Sequence, residues 1–130
     1  MKDGWGLGVG LDLVLDDADK TRVEFHLSLD KDNKPIFKSQ IAREPLGRGT
    51  KVTEQVQFSN PSVAGRLRLV RDGSQVHCLV APEGTTQFRL LASFAVGEAA
   101  VSMVAFQSKC SDNVGRSDVT LEKLTIREKP

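Results

Sequence analysis

The sequence has no tyrosine and a single tryptophan, Trp5. Sugar-binding proteins commonly stack the apolar face of a pyranose ring on one of these two residue types. The six phenylalanines offer little replacement, because Phe25, Phe58, Phe88 and Phe94 fall at positions that we predict to be in the core. This shortage of aromatic platforms argues against recognition of neutral glycans.

An excess of charge of one sign is also missing. Eighteen basic and seventeen acidic side chains leave a formal net charge of +1, so the chain has no broad positive field for nucleic acids or anionic membranes. No apolar run approaches the ~20 residues that a membrane-spanning helix needs. We therefore predict no nucleic-acid partner and no membrane insertion.

Cysteine and histidine are scarce, with two of each. Cys78 and Cys110, together with His26 and His77, lack the paired spacing of zinc sites. Neither histidine accompanies a nucleophile motif such as G-x-S-x-G, and ordinary polar positions on strands explain both. Cys78 has the parity of core residues on its strand, which indicates a buried free thiol; a Cys78–Cys110 disulfide is the alternative.

Carboxylate pairs for hydrolysis are not evident either. A glycosidase holds two carboxyl groups across the bond that it cleaves. Glu24 and Glu54 both fall on predicted strands, where a solvated strand face explains each of them. We therefore predict that the protein is not an enzyme.

Loop carboxylates raise the question of calcium. Asp30, Asp32 and Asn33 supply hard oxygen ligands, but Lys34-Pro35 interrupts the EF-hand pattern. Hairpin turns use the same residue types, because Asp and Asn hydrogen-bond to their own backbone. We predict no metal site and no cofactor, and a structural calcium ion at these residues is the alternative.

What the chain has throughout is alternation of apolar and polar residues with a period of two, which is typical of β-strands with one buried face. Turn clusters rich in Asp, Asn, Gly and Pro separate about nine such runs at the spacing of sandwiches and barrels. The later runs are predicted at Ile36–Ala42, Lys51–Phe58, Ala100–Ser108 and Asp118–Arg127, the last with a bulge near Glu122 and Lys123. We predict one all-β domain over residues 1–130, an antiparallel two-sheet β-sandwich, with a small closed barrel as the alternative.

The alternation also predicts which side chains lie between the sheets. The predicted core consists of Leu11, Leu13, Val23, Phe25, Leu27, Leu67, Leu69, Val76, Val80, Phe88, Leu90 and Leu121.

The segment from Gly65 to Leu91 predicts two linked hairpins, the first closed by a type I′ turn at Asp72-Gly73. This register pairs Val70 with Gln75, Arg68 with His77, and Arg66 with Leu79. With Arg89 on the next strand, it gives one surface that holds Arg66, Arg68, His77 and Arg89. The planar guanidinium group of arginine binds carboxylates through two parallel hydrogen bonds, so we predict an anionic ligand here. A solvated outer face is the alternative.

Three motifs carry a resemblance to a known superfamily: G-x-L-R-L-V-R-x-G-S-x-V at Gly65–Val76, F-R-L-L at Phe88–Leu91, and V-T-L-E-K-L-T-I-R at Val119–Arg127. Together they resemble the concanavalin A-like lectin/glucanase, or laminin-G-like, superfamily. The nearest likeness is to C-terminal domains of unassigned function in large bacterial secreted proteins. The resemblance implies a jelly-roll sandwich, but the glucanase E-x-D-x-x-E motif and the galectin H-x-N-P-R motif do not occur in this chain.

These observations together lead to a functional expectation. We expect a non-catalytic accessory module of a larger extracellular bacterial protein, with an anionic carbohydrate or neighbouring domains of that protein as partners. A structural spacer or protein–protein interaction domain is the alternative, and a domain related to glycoside hydrolases is a more remote one. The expected location is extracellular or periplasmic as part of a longer chain, or cytoplasmic if Met1 is the native start.

Overall fold

The computed structural model describes residues 8–32, 34–45, 49–59 and 65–109. Eight strands occur in these ranges: β1 (Gly8–Leu15), β2 (Arg22–Leu29), β3 (Pro35–Arg43), β4 (Lys51–Ser59), β5 (Gly65–Asp72), β6 (Gln75–Pro82), β7 (Arg89–Ala95) and β8 (Val101–Lys109). No helix within the described ranges is long and apolar enough to cross a membrane.

The strands form two antiparallel sheets, one of five strands in the order β4-β3-β2-β1-β8 and one of three in the order β5-β6-β7. β5 packs over β1 and β2, while β7 packs over β3 and β4. The prediction of an all-β, two-sheet antiparallel architecture is confirmed, and the closed-barrel alternative is wrong for this part of the chain. The predicted strand Asp118–Arg127 and its bulge lie outside the described residues.

The core lies between the two sheets and follows the alternation of the sequence. Of the predicted core residues, Leu13, Val23, Phe25, Leu27, Val76 and Val80 are buried. Leu67 and Leu69 are partly buried and pack against this core, Leu11 is half-buried, and Leu121 lies outside the described residues. The prediction for Phe88 is wrong, because its ring stacks on the guanidinium of Arg68, which is exposed on the outer face of the three-stranded sheet. Phe37, Ile41 and Phe94 complete the centre of the sandwich. The prediction for Leu90 is wrong, because 59% of this residue is exposed.

The β5–β6 turn differs from the predicted one by one residue. Asp72 pairs with Gln75, so the two turn residues are Gly73 and Ser74. Gly73 has a φ of 59°, whereas the φ of Ser74 is not positive. Type I′ needs a positive φ at both central residues, so this turn is of type II′. Moving the turn by one residue shifts the pairing along β6 by two residues, and a two-residue shift leaves every side chain on its original face.

That shift corrects the predicted partners of the arginines without changing their side of the sheet. Val70 pairs with His77 rather than with Gln75. Arg68 pairs with Leu79 and Arg66 with Ala81. The corrected register therefore keeps Arg66, Arg68 and His77 on the outer face of the three-stranded sheet.

A β-bulge between β6 and β7 has the larger effect. Cys78 pairs with Ala92, but Leu79 pairs with Leu90, so Leu91 is an extra residue in β7. An extra residue reverses the side-chain alternation that precedes it. It turns Leu90 outward and brings Leu91 against the core, which explains the wrong prediction for Leu90.

Candidate functional site

The outer face of the three-stranded sheet carries three of the four predicted site residues. Arg66 and Arg68 are exposed on β5, and His77 is half-buried on β6. Leu79 lies between Arg68 and Leu90 in one cross-strand row. We call this surface, made of Arg66, Arg68, His77, Leu79 and Leu90, the arginine face.

Arg68 has a defined position on the arginine face. Its guanidinium carbon lies 4.1 Å from the centroid of the Phe88 ring. A cation over an aromatic ring is attracted by the electron-rich ring face, and this contact limits the conformations of the long arginine side chain. The stacked guanidinium keeps its planar fork of N–H donors, which can bind a carboxylate.

Arg89 lies elsewhere, so the prediction that it shares this surface is wrong. It pairs with Val80, whose side chain is in the core. The guanidinium carbon of Arg89 lies 4.3 Å from the centroid of the Phe58 ring on β4, and therefore reaches toward the larger sheet. The same extra residue, Leu91, causes this difference, because it reverses the alternation at the start of β7.

His77 has a serine neighbour across the strand pair. Its Nδ1 lies 2.7 Å from the Oγ of Ser93, and this contact is exposed. A catalytic serine–histidine pair also needs a third group that orients the imidazole. Among the described residues no carboxylate hydrogen-bonds to the other ring nitrogen of His77, and the pair is an ordinary cross-strand hydrogen bond.

The calcium candidates form a self-contained turn. Asp30 Oδ1 accepts hydrogen bonds from the backbone N–H groups of Asp32 at 2.8 Å and Lys34 at 2.9 Å. These backbone bonds, Lys34 first, lower the pKa of Asp30 although burial opposes them. Asn33 lies outside the described residues. Within the described ranges, no group of three or more His, Cys, Asp or Glu could hold a metal ion.

Cys78 is a free, buried cysteine, as the alternation predicts, while Cys110 lies outside the described residues. Burial raises the pKa of the Cys78 thiol to about 12. A thiol that stays protonated is a poor nucleophile. Its position in the core indicates a packing role.

The outer face of the five-stranded sheet holds a polar cluster that the sequence analysis missed. Asp12, Glu24 and His26 are buried there although they point away from the sandwich core, and Asp12 is only 1% exposed. Asp12 Oδ1 lies 3.0 Å from His26 Nε2. The available signal was polar residues at matching parity on two consecutive strands, but solvated strand faces show the same pattern.

A family model described as "Protein of unknown function (DUF1583) C domain" covers residues 2–128. No curated protein and no solved structure matches the chain.

Proposed function

The chain belongs to the DUF1583 C-domain family, and we propose that it is a non-catalytic accessory module that binds an acidic carbohydrate on the arginine face. The observation that carries this proposal is the pair of exposed arginines on one face, with Arg68 held over Phe88. Bidentate binding by these guanidinium groups suits uronate or sulfate groups.

The rest of the arginine face supports the same ligand class. Leu79 is half-buried and Leu90 largely exposed beside Arg68. The carbon-bound hydrogens of a sugar ring can contact such apolar side chains while its acidic group meets the arginines. An ordered guanidinium also loses less conformational entropy on binding than a freely rotating one.

The test is affinity electrophoresis in gels that contain polygalacturonate, alginate or heparin. We expect retardation by at least one of these polymers, and an affinity loss of about tenfold or more for Arg68→Ala or Arg66→Ala, since one charge-assisted hydrogen-bonded contact contributes about 1.5–3 kcal/mol. Retardation should weaken with added salt, because the Debye length falls from ~8 Å at 0.15 M to ~3 Å at 1 M.

Arg89→Ala is the matched control. It removes the same charge from the molecule, but from a side chain that stacks on Phe58 away from the arginine face. We expect it to bind as the unmodified protein does. Equal losses in the Arg68→Ala and Arg89→Ala variants would indicate attraction to net charge alone, and binding to none of the three polymers would refute the proposal.

A second candidate function is docking of a neighbouring protein domain on the same face, which the exposure of Leu90 favours. Exposed apolar side chains beside arginines are typical of protein interfaces. Leu90→Asp distinguishes the two candidates: it should abolish association with the adjacent domains of the parent protein, whereas polysaccharide binding through Arg66 should persist in reduced form.

The proposed location is outside the cell, as part of a longer secreted protein. This proposal is supported by the motif at Gly65–Val76, which resembles C-terminal domains of large bacterial secreted proteins. Fractionation of the source cells with an antibody against this domain tests it. Recovery of the native protein in the cytoplasmic fraction alone would contradict this location.

A further inference from the structure

Strand β8, at one edge of the five-stranded sheet, carries most of the large apolar side chains that are exposed in the described ranges. These are Val101, Met103, Val104 and Phe106, with exposed fractions of 38–51%. Within the described ranges only β1 pairs with β8. The other edge of β8 therefore presents unpaired backbone N–H and C=O groups beside apolar side chains, and such an edge can pair with a further strand.

The register with β1 shows on which side of the sheet these residues lie. Val104 pairs with Leu13 and Phe106 pairs with Leu11, so both point to the side that holds the sandwich core. The smaller sheet packs over β1 to β4, and β8 extends beyond this cover. Val104 and Phe106 therefore continue the apolar surface of the core out to the edge, where they remain 40% and 38% exposed.

Charge does not protect this edge from pairing. Natural edge strands often carry charged residues, above all lysine, that prevent association with another strand. β4, at the opposite edge of the same sheet, carries Lys51 and Glu54, whereas β8 has no charged residue from Val101 to Ser108. A second strand can therefore pair with β8 without bringing like charges together.

The sequence of β8 is complementary to itself when two copies of the strand pair antiparallel. A pairing centred on Ala105 places Ala105 opposite its counterpart and Val104 opposite Phe106 of the second copy. Pairs of aromatic and β-branched side chains stabilise antiparallel strands, and the two-fold axis produces this pair twice. A pairing centred on Val104 would instead place Phe106 opposite Ser102.

From these observations we propose that the chain forms a homodimer, in which β8 pairs antiparallel with β8 of a second copy and joins the two larger sheets into one. The interface is isologous, since the same strand is used by both copies. The pairing from Met103 to Gln107 involves far fewer residues than the about 20–30 on each side of a standard interface. We therefore expect a weak, reversible dimer with a Kd of about 10–1000 µM.

This dimer has a consequence for the arginine face. The two-fold axis is perpendicular to the joined sheet, so both smaller sheets lie on the same side of it and their arginine faces point in the same direction. A polymer with repeated acidic groups can contact both faces and gain affinity from the second contact. This consequence rests on the proposed function, whereas the dimer itself does not.

Sedimentation equilibrium over protein concentrations from about 5 to 500 µM, without any polysaccharide, tests the dimer. We expect the average mass to rise from that of one chain toward twice that mass. Val104→Lys places a charge at the interface and should keep the protein monomeric. Val52→Lys is the matched control, because it makes the same substitution at a 48% exposed position of the opposite edge strand β4. It should dimerise as the unmodified protein does, and circular dichroism verifies that both variants fold.

A disulfide tests the register. In a Cys110→Ser background, Ala105→Cys places two thiols opposite each other across the two-fold axis. Directly paired antiparallel residues have Cα atoms about 4.5–5.5 Å apart, which a disulfide can bridge. Mild oxidation should therefore yield a cross-linked dimer with Ala105→Cys and none with Val52→Cys.

Three results would overturn the proposal. They are the mass of a single chain at every concentration, a dimer that Val104→Lys leaves intact, and a monomer in which Val104→Cys resists thiol reagents. The last would show that another part of this chain covers β8. Failure to bind any acidic polymer would count against the arginine face alone, because the dimer is measured without polymer and Arg68→Ala should leave it unchanged.

Discussion

Leu90 and Leu91 are adjacent leucines, but truncating each to alanine should change the free energy of unfolding by very different amounts. Simple alternation would bury Leu90 and expose Leu91, whereas the bulge exposes 59% of Leu90 and packs Leu91 against the core. Leu90→Ala and Leu91→Ala therefore remove the same atoms from neighbouring positions. Any difference between their stabilities reports on side-chain environment alone.

The magnitudes follow from burial. Truncation of a fully buried leucine to alanine lowers the free energy of unfolding by about 2–5 kcal/mol. Leu91 is only partly buried, so Leu91→Ala should lower it by about 1–3 kcal/mol. Leu90→Ala should change the free energy of unfolding by about 0.5 kcal/mol or less, as is usual for exposed positions. Phe25→Ala, at a fully buried site, sets the upper end of the scale at about 3–5 kcal/mol.

Differential scanning calorimetry and urea unfolding followed by circular dichroism measure these differences. In a chain of this size 1 kcal/mol lowers Tm by about 4 °C, so Leu91→Ala should melt about 4–12 °C lower and Leu90→Ala about 2 °C lower at most. Equal losses, or a larger loss for Leu90→Ala, would show that the bulge is absent in solution and that Arg89 belongs to the arginine face after all.

Three further predictions concern other parts of the sandwich. Arg71→Ala should lower the free energy of unfolding, measured in urea, by about 1–3 kcal/mol. The guanidinium of Arg71 donates hydrogen bonds of 2.7, 2.8 and 2.8 Å to backbone carbonyls of the β5–β6 turn and of the loop after β7. An unchanged unfolding midpoint would contradict this role. In a Cys110→Ser background, Cys78 should resist iodoacetamide in the native state at pH 8 and react after unfolding, since burial raises its pKa to about 12, and rapid native labelling would show that the thiol is accessible. Burial alone would raise the pKa of Asp17, but hydrogen bonds from the Thr21 hydroxyl and backbone N–H lower it below its usual value. Asp17→Asn should therefore lower Tm at pH 7, and the difference should disappear as the pH falls through the folded-state pKa, where the carboxylate that stabilises the fold becomes protonated; a Tm difference that persists at pH ~2 would refute this assignment.

The positions of most strands could be predicted from the sequence because period-two alternation is a local property. Val23, Phe25 and Leu27 alternate with Glu24 and His26, and the structure buries the first set in the sandwich core. Turn residues also predicted the hairpin at Gly73, although the predicted register differed from the observed one by two residues along β6. A register shift of two residues leaves each side chain on the same face of the sheet. Arg66 and Arg68 therefore lie on the face that was predicted for them.

The candidate sites depended on information that is not local. The extra residue Leu91 carries no sequence signature of its own, yet it moves Arg89 from the arginine face to a position over Phe58. The hydrogen bond between Gln55 and Gln40 likewise needs β3 and β4 in register, because fifteen positions separate these two residues along the chain.

The sequence by itself determined the fold class, the two-sided character of each strand and most of the core, because each follows from the order of apolar and polar residues. Tertiary structure alone decided which outward-facing residues become neighbours. Polar side chains on the outer faces gain little from burial, so the hydrophobic pattern does not specify their partners. Strand order, register and bulges such as the one at Leu91 specify them. The functional proposal for Arg66 and Arg68 therefore depends on pairing between strands rather than on any motif within one.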